Sequence, residues 1–118
     1  MRSYLIEDLV EDDFKKIAGA LNELELLGPL EGIYYLPLPE ELLQQEQQAH
    51  LGECGPYFMA LELVDGASEM SECQVKLELL VRARNKIRCS CVSYATSPQR
   101  RHMIEYLDQF IEELEISV

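Results

Sequence analysis

Cys73-Gln74-Val75-Lys76-Leu77-Glu78-Leu79-Leu80-Val81-Arg82-Ala83 is the stretch whose reading decides the fold. Val75, Leu77, Leu79, Val81 and Ala83 point one way. Gln74, Lys76, Glu78 and Arg82 point the other, with Leu80 the exception. A period of two is the signature of a strand with one buried face. Upstream, Tyr57–Asp65 is apolar on both parities, which suits a central strand or one covered on both faces. Asp65-Gly66 then opens a polar loop, Ala67–Glu72. Downstream, residues 87–95 place Ile87, Cys89 and Cys91 on one face, and Arg88, Ser90 and Val92 on the other.

The connection between residues 73–83 and 87–95 can be phased. Directly paired residues share a face, so their numbers must sum to an even value. An odd-length loop around Arg84, Asn85 and Lys86 satisfies this, with Asn85 tolerating positive φ. In that register Arg82 faces Arg88.

Two amphipathic helices flank these strands. The first is predicted over residues 8–27. Asp8 and Glu11 form a capping signal, Phe14, Ile17, Leu21 and Leu24 form an apolar stripe, and Gly28-Pro29 is a stop. The last is predicted over about 98–115, with Ser97 as N-cap, Pro98 as first helical residue, and Met103, Leu107, Phe110 and Leu114 as its stripe. Between them, Gly32–Leu36 reads as a short strand ended by Pro37 and Pro39, suited to a sheet edge. Residues 40–51 read as a middle helix closed by Gly52, and Cys54-Gly55-Pro56 as a turn. The expected architecture is a single α+β domain over residues 1–118. It has two layers: a four-stranded, mostly antiparallel sheet packed by N- and C-terminal amphipathic helices, with a short middle helix.

The chain has 118 residues and a formal net charge of −12. That charge argues against nucleic acid as a partner, which requires a basic footprint, and against an anionic membrane surface. The opening MRSYLIEDLVEDD holds no apolar run of signal-peptide length, and no stretch is long and apolar enough to span a bilayer. The expected compartment is the cytoplasm, with Cys54, Cys73, Cys89 and Cys91 as reduced thiols.

The charge is unevenly distributed. Residues 1–72 carry 3 basic and 16 acidic side chains, and residues 73–118 carry 7 and 6. Arg82, Arg84, Lys86 and Arg88 at the hairpin tip therefore form the leading candidate contact for an anion or acidic partner. The competing account is neutralisation by Glu112, Glu113 and Glu115, brought back by the last helix. Arg100 and Arg101, in the first turns of that helix, are a secondary anion candidate.

His50-x3-Cys54 and Cys89-x-Cys91 together offer a zinc-type donor set. The expectation is that Cys89 and Cys91 are instead core residues and that the protein has no cofactor, with zinc on these four residues as the alternative. No nucleophile elbow, phosphate loop, HExxH or calcium loop is present, so no catalytic residue is assigned and a non-enzyme is expected.

In size, charge and element order the chain is similar to bacterial secretion chaperones and small adaptor domains. That likeness implies a protein-interaction, adaptor or chaperone-like module. Apolar positions on both parities of Tyr57–Asp65, together with Leu80, Val92 and Tyr94, suggest surface left over for a homodimer. The alternative function is that of a metal- or small-anion-binding protein.

Overall fold

A computed structural model describes residues 2–64 and 73–116. In chain order these form β1 (Ser3–Leu9), α1 (Glu11–Glu23), β2 (Ile33–Pro37), a 3-10 turn (Glu40–Leu42), α2 (Gln45–Ala49), α3 (Leu51–Cys54), β3 (Tyr57–Val64), β4 (Cys73–Glu78), β5 (Leu80–Ala83), β6 (Ser93–Tyr94) and α4 (Ser97–Glu113). The polar loop expected at Ala67–Glu72 lies outside the described residues.

The 73–83 stretch keeps one face throughout but changes partners. Through β4 it pairs with β1 on one side and β3 on the other: Val75 lies between Ile6 and Leu63, and Leu77 between Tyr4 and Leu61. Beyond Leu79 it continues as β5, pairing Tyr57 with Ala83 and Leu80 with Tyr94. From Leu77 to Ala83 the strand advances six positions while its partner advances four, from Leu61 to Tyr57. The two-residue excess is even, so no side chain changes face. Val75, Leu77, Val81 and Ala83 all stay buried. At the break, Leu79 donates its N–H to Arg2 O and accepts from Ala95 N–H, both at 3.0 Å.

The sheet runs β1-β4-β3-β5-β6, with β2 also on β3, and every pair is antiparallel. The α+β class and the antiparallel sheet are as expected. Among the described residues the sheet has six strands, however, not four, and several expected boundaries move.

The first error is at the start. Residues 3–9 form an edge strand, which takes Asp8 and Leu9 out of the expected helix. Asp8 sits at φ 60° where the β1–β4 register shifts between Ile6 and Leu9, so it caps nothing. The helix begins at Glu11 with Val10 as N-cap, and Glu11, Asp12 and Asp13 supply the favourable first-turn charge. It ends at Glu23 rather than 27, because Leu26 and Gly28 pair with β2: Tyr35 N–H donates to Leu26 O and Gly28 N–H to Ile33 O, both at 2.8 Å.

The second error is after Ala83. Only Ser93 and Tyr94 form strand, and residues 84–92 are irregular, with Ile87 87% exposed. Val81 pairs with Ser93, so the even-sum rule holds through a much longer connection. Arg82 lies opposite Phe58 and not Arg88.

The middle helix also breaks into a 3-10 turn, α2 and α3, with Gly52 inside α3. Gln47 Oε1 accepts the Gln44 N–H at 2.9 Å and restarts the helix at Gln45.

Ile17 and Leu21 of α1 and Met103, Leu107 and Ile111 of α4 cover the face carrying Met59, Leu61, Val75 and Leu77. Side-chain bonds tie the layers together. Tyr4 Oη donates to Asp108 Oδ1 at 2.6 Å, Tyr34 Oη to Asn22 Oδ1 at 2.8 Å, and Lys16 Nζ to the Leu114 carbonyl at 3.1 Å. Among the described residues, no helix is long and apolar enough to cross a membrane.

The cap of α4 lies one residue earlier than predicted. Thr96 Oγ1 accepts the Gln99 N–H at 3.3 Å, and Gln99 Oε1 accepts the Thr96 N–H at 3.0 Å, a reciprocal capping box. Thr96→Ala is therefore expected to cost about 1 kcal/mol in urea unfolding, with Ser97→Ala within about 0.5 kcal/mol of wild type. The reverse ranking would move the cap back to Ser97.

Candidate metal centre

The irregular segment after β5 and the helical turn before β3 meet at one end of the sheet. His50 lies between α2 and α3, and Cys54 is the last residue of α3. The i, i+4 spacing brings both side chains to one side of that turn, and Cys54 N–H donates to His50 O at 2.8 Å. Cys89 and Cys91 lie in a turn where Val92 N–H donates to Cys89 O at 3.0 Å. One ligand atom from each of His50, Cys54, Cys89 and Cys91 lies within 4.8 Å of all the others. His50 Nδ1 is 3.2 Å from Cys89 Sγ. Ligand atoms around a tetrahedral zinc, at about 2.0–2.3 Å from the metal, stand roughly 3.5–3.8 Å apart, so the cluster needs only a small contraction.

The expected strand under these two cysteines is corrected, while their packing against the core is retained. Cys91 is buried but irregular, and Cys89 is only half-buried. Their alternation with Ile87 reflects two sulfurs turned toward His50 and Cys54, while Ile87 points to solvent.

The surroundings hold the four groups in place. Asn85 N–H donates to Cys54 O at 2.9 Å and Asn85 Nδ2 to Gly55 O at 2.6 Å, binding one ligand segment to the other. Gly55 is required by close approach, since a Cβ there would lie 2.8 Å from the Leu51 carbonyl oxygen. Gln47, fully buried, donates from Nε2 to Cys91 O at 3.2 Å. Gln99, also fully buried, donates from Nε2 to Gln47 Oε1 at 3.0 Å and to Leu42 O at 2.9 Å. Tyr57, 2% exposed, faces the thiols, yet its hydroxyl is buried without a hydrogen-bond partner. A thiolate at Cys91 would give that hydroxyl an acceptor. None of Tyr57, Gln47, Gln99 or Asn85 was identified from sequence as part of a site.

The thiols are electrostatically unequal. The Cys91 backbone N–H and thiol, with smaller contributions from His50 and Cys54, outweigh burial and bring Cys89 down to about 6. Burial, and then the neighbouring Cys91 and Cys89 thiols, push Cys54 up to about 11. Burial among the same thiols raises Tyr57 as well.

Three of the four basic residues of the expected hairpin have separate partners. Arg82 makes a two-pronged contact with Glu78, Nε–Oε1 at 2.6 Å and Nη2–Oε2 at 3.1 Å, which raises the guanidinium further. Arg84 lies over the Tyr35 ring, 5.0 Å from its centroid, and Lys86 Nζ is 3.7 Å from Glu53 Oε2. Arg88 is exposed. The acids met here are Glu78 and Glu53, not those of the last helix. Arg100 donates to Ser97 Oγ at 3.3 Å, and Arg101 is exposed.

Comparison with known protein families, with curated proteins and with solved structures finds no match.

In metal-free protein, alkylation of Cys89 by iodoacetamide should be half-maximal at about pH 6 and level off above it, because the thiolate is the nucleophile. Cys54 should stay unmodified across the same range. Site-resolved mass spectrometry checks this, and a Cys89 profile still rising through pH 9 would remove its special status.

Proposed function

We propose that this protein is a small, non-enzymatic zinc-binding module in which His50, Cys54, Cys89 and Cys91 form a structural Cys3His centre. The observation that carries the reading is the convergence of four donor groups, from segments 35 residues apart, within 4.8 Å. Three thiols and an imidazole are the donor set zinc prefers. Four protein ligands fill a tetrahedron and leave no position open for substrate, so the centre is structural rather than catalytic.

The role follows from what the centre joins. Residues 84–92 contain no strand and no helix, and a metal bridging Cys54 to Cys89 closes a loop of about 36 residues. A metal held by the folded chain and released by the unfolded one adds its binding free energy to the stability of the fold. The sheet and helices have their own core, so the metal stabilises the module and orders this segment. The Tyr57 hydroxyl donates to the Cys91 thiolate in this reading, as outer-shell groups do around structural zinc.

Protein purified from zinc-replete cells without chelator should carry one zinc per chain by elemental analysis. A strong chelator should lower its melting temperature and increase hydrogen exchange at residues 84–92. Less than about a tenth of an equivalent of zinc, with no response to chelation, would return the four residues to the role of packed thiols.

Tyr57→Phe gives a test of opposite signs. With zinc bound it should weaken metal affinity about tenfold or more. In the metal-free protein it should leave stability unchanged or raise it, since it deletes a buried hydroxyl with no partner. Calorimetry with zinc, and urea unfolding without it, measure the two.

A further inference from the structure

The helical face carries a second feature. The C-terminal half of α1 and the length of α4 do not close on each other. Between them lies an open cleft of about 410 Å³, floored by Ala20, Leu24, Tyr106 and Phe110. A second pocket of about 250 Å³ continues it past Leu24 and Tyr106 toward Leu26, Pro37 and Met103. The two share Leu24 and Tyr106, so they form one groove. Those two side chains are 48% and 41% exposed, although both lie on an apolar floor. From His102 to Glu113, α4 spans about 16 Å, or three turns of a docked helix.

The walls are acidic. Glu23 stands on the α1 side and Glu113 on the α4 side, and Glu105, Asp108 and Glu112 continue along the outer surface of α4. Among the described residues, no Lys or Arg lines either part of the groove, and the one lining group able to carry positive charge is His102. Lys16, near the end of α4, is occupied by the Leu114 carbonyl.

We propose that this groove docks a basic amphipathic helix of another protein, its Leu, Phe or Met side chains entering the two pockets and its Lys or Arg side chains meeting the acidic walls. The apolar floor supplies anchor sites of the helix-in-groove kind. Charge selects the occupant. A second copy would bring the same acids to a self-complementary interface, where like charges face each other at a cost. A cationic helix removes that repulsion and is steered toward a chain of net charge −12. The homodimer expected from sequence therefore makes the second copy the competing occupant. The proposal does not depend on the metal centre.

The probe is a synthetic helix of Leu and Lys with Leu at i, i+3, i+4 and i+7. Its controls are a scrambled peptide of equal composition and a Leu/Glu counterpart. NMR titration of the full chain should show the patterned Leu/Lys peptide shifting Leu24, Tyr106 and Phe110, with neither control binding there. Leu24→Glu should weaken binding by about tenfold or more, as expected for a central anchor. Glu113→Gln should weaken it less and reduce its salt dependence. Tyr106→Glu provides the second groove variant if Leu24→Glu melts early.

Three results would overturn the proposal. One is equal binding by the scrambled peptide, which would mean attraction to the acidic surface alone. Another is no loss in either groove variant. The third is a micromolar dimer that Leu24→Glu converts to monomer while the patterned peptide fails to bind, which would give the groove to a second copy.

Discussion

The fold depends on one parity constraint. The stretch from Cys73 to Ala83 must keep its odd-numbered side chains in the core while exchanging one pair of neighbours for another. A single extra residue at Leu79 would turn Val81 and Ala83 out to solvent and Arg82 into the core. Because the excess is two, the chain can leave β1, turn toward Ala95 and resume pairing with the first residues of β3 without losing its buried face. The price is local irregularity, met by the Arg2 and Ala95 backbone bonds to Leu79.

That geometry also determines where chemistry can sit. β3 begins three residues after Cys54, and β5 ends six residues before Cys89. The Tyr57–Ala83 pair therefore brings both ligand segments to the same end of the sheet. Arg84 and Asn85, donating to Pro56 and Cys54, extend that pairing beyond the ladder. On the opposite flank, the buried Gln47 and Gln99 carry the support from the cap of α4 through α2 to the carbonyl of Cys91. Two amides with no charge are well suited to this, since each buried donor and acceptor finds a partner.

Most of the fold was legible where burial on one face leaves a periodic trace, as in 73–83 and in α4, and where burial on both faces removes it, as in β3. It was illegible at the edges. β1 buries only Ile6 and Leu9 fully, and it runs into an acidic stretch that imitates a helix start, so local charge outweighed a weak strand signal. Residues 87–91 failed for a different reason. Alternation of Ile87, Cys89 and Cys91 is equally compatible with a strand and with an irregular turn that directs two sulfurs inward. Each half of the ligand set was visible as a spacing. Their meeting was not, because it depends on pairing between residues more than 20 positions apart. Tyr57, Gln47 and Gln99 carried no sequence sign, since a buried polar residue is recognised only once its surroundings are known.

The separation of the two ligand pairs has a consequence for the order of assembly. In the unfolded chain, His50 with Cys54 and Cys89 with Cys91 are two bidentate half-sites with β3, β4 and β5 between them. Neither half alone encloses a metal ion, and bringing them together first would incur the closure entropy of the intervening chain with no sheet contacts to offset it. The cluster is therefore a product of sheet pairing and not its nucleus. In the proposed zinc reading, high-affinity capture by all four donors would be a readout of completed folding, and metal bound this late would slow unfolding far more than it speeds folding.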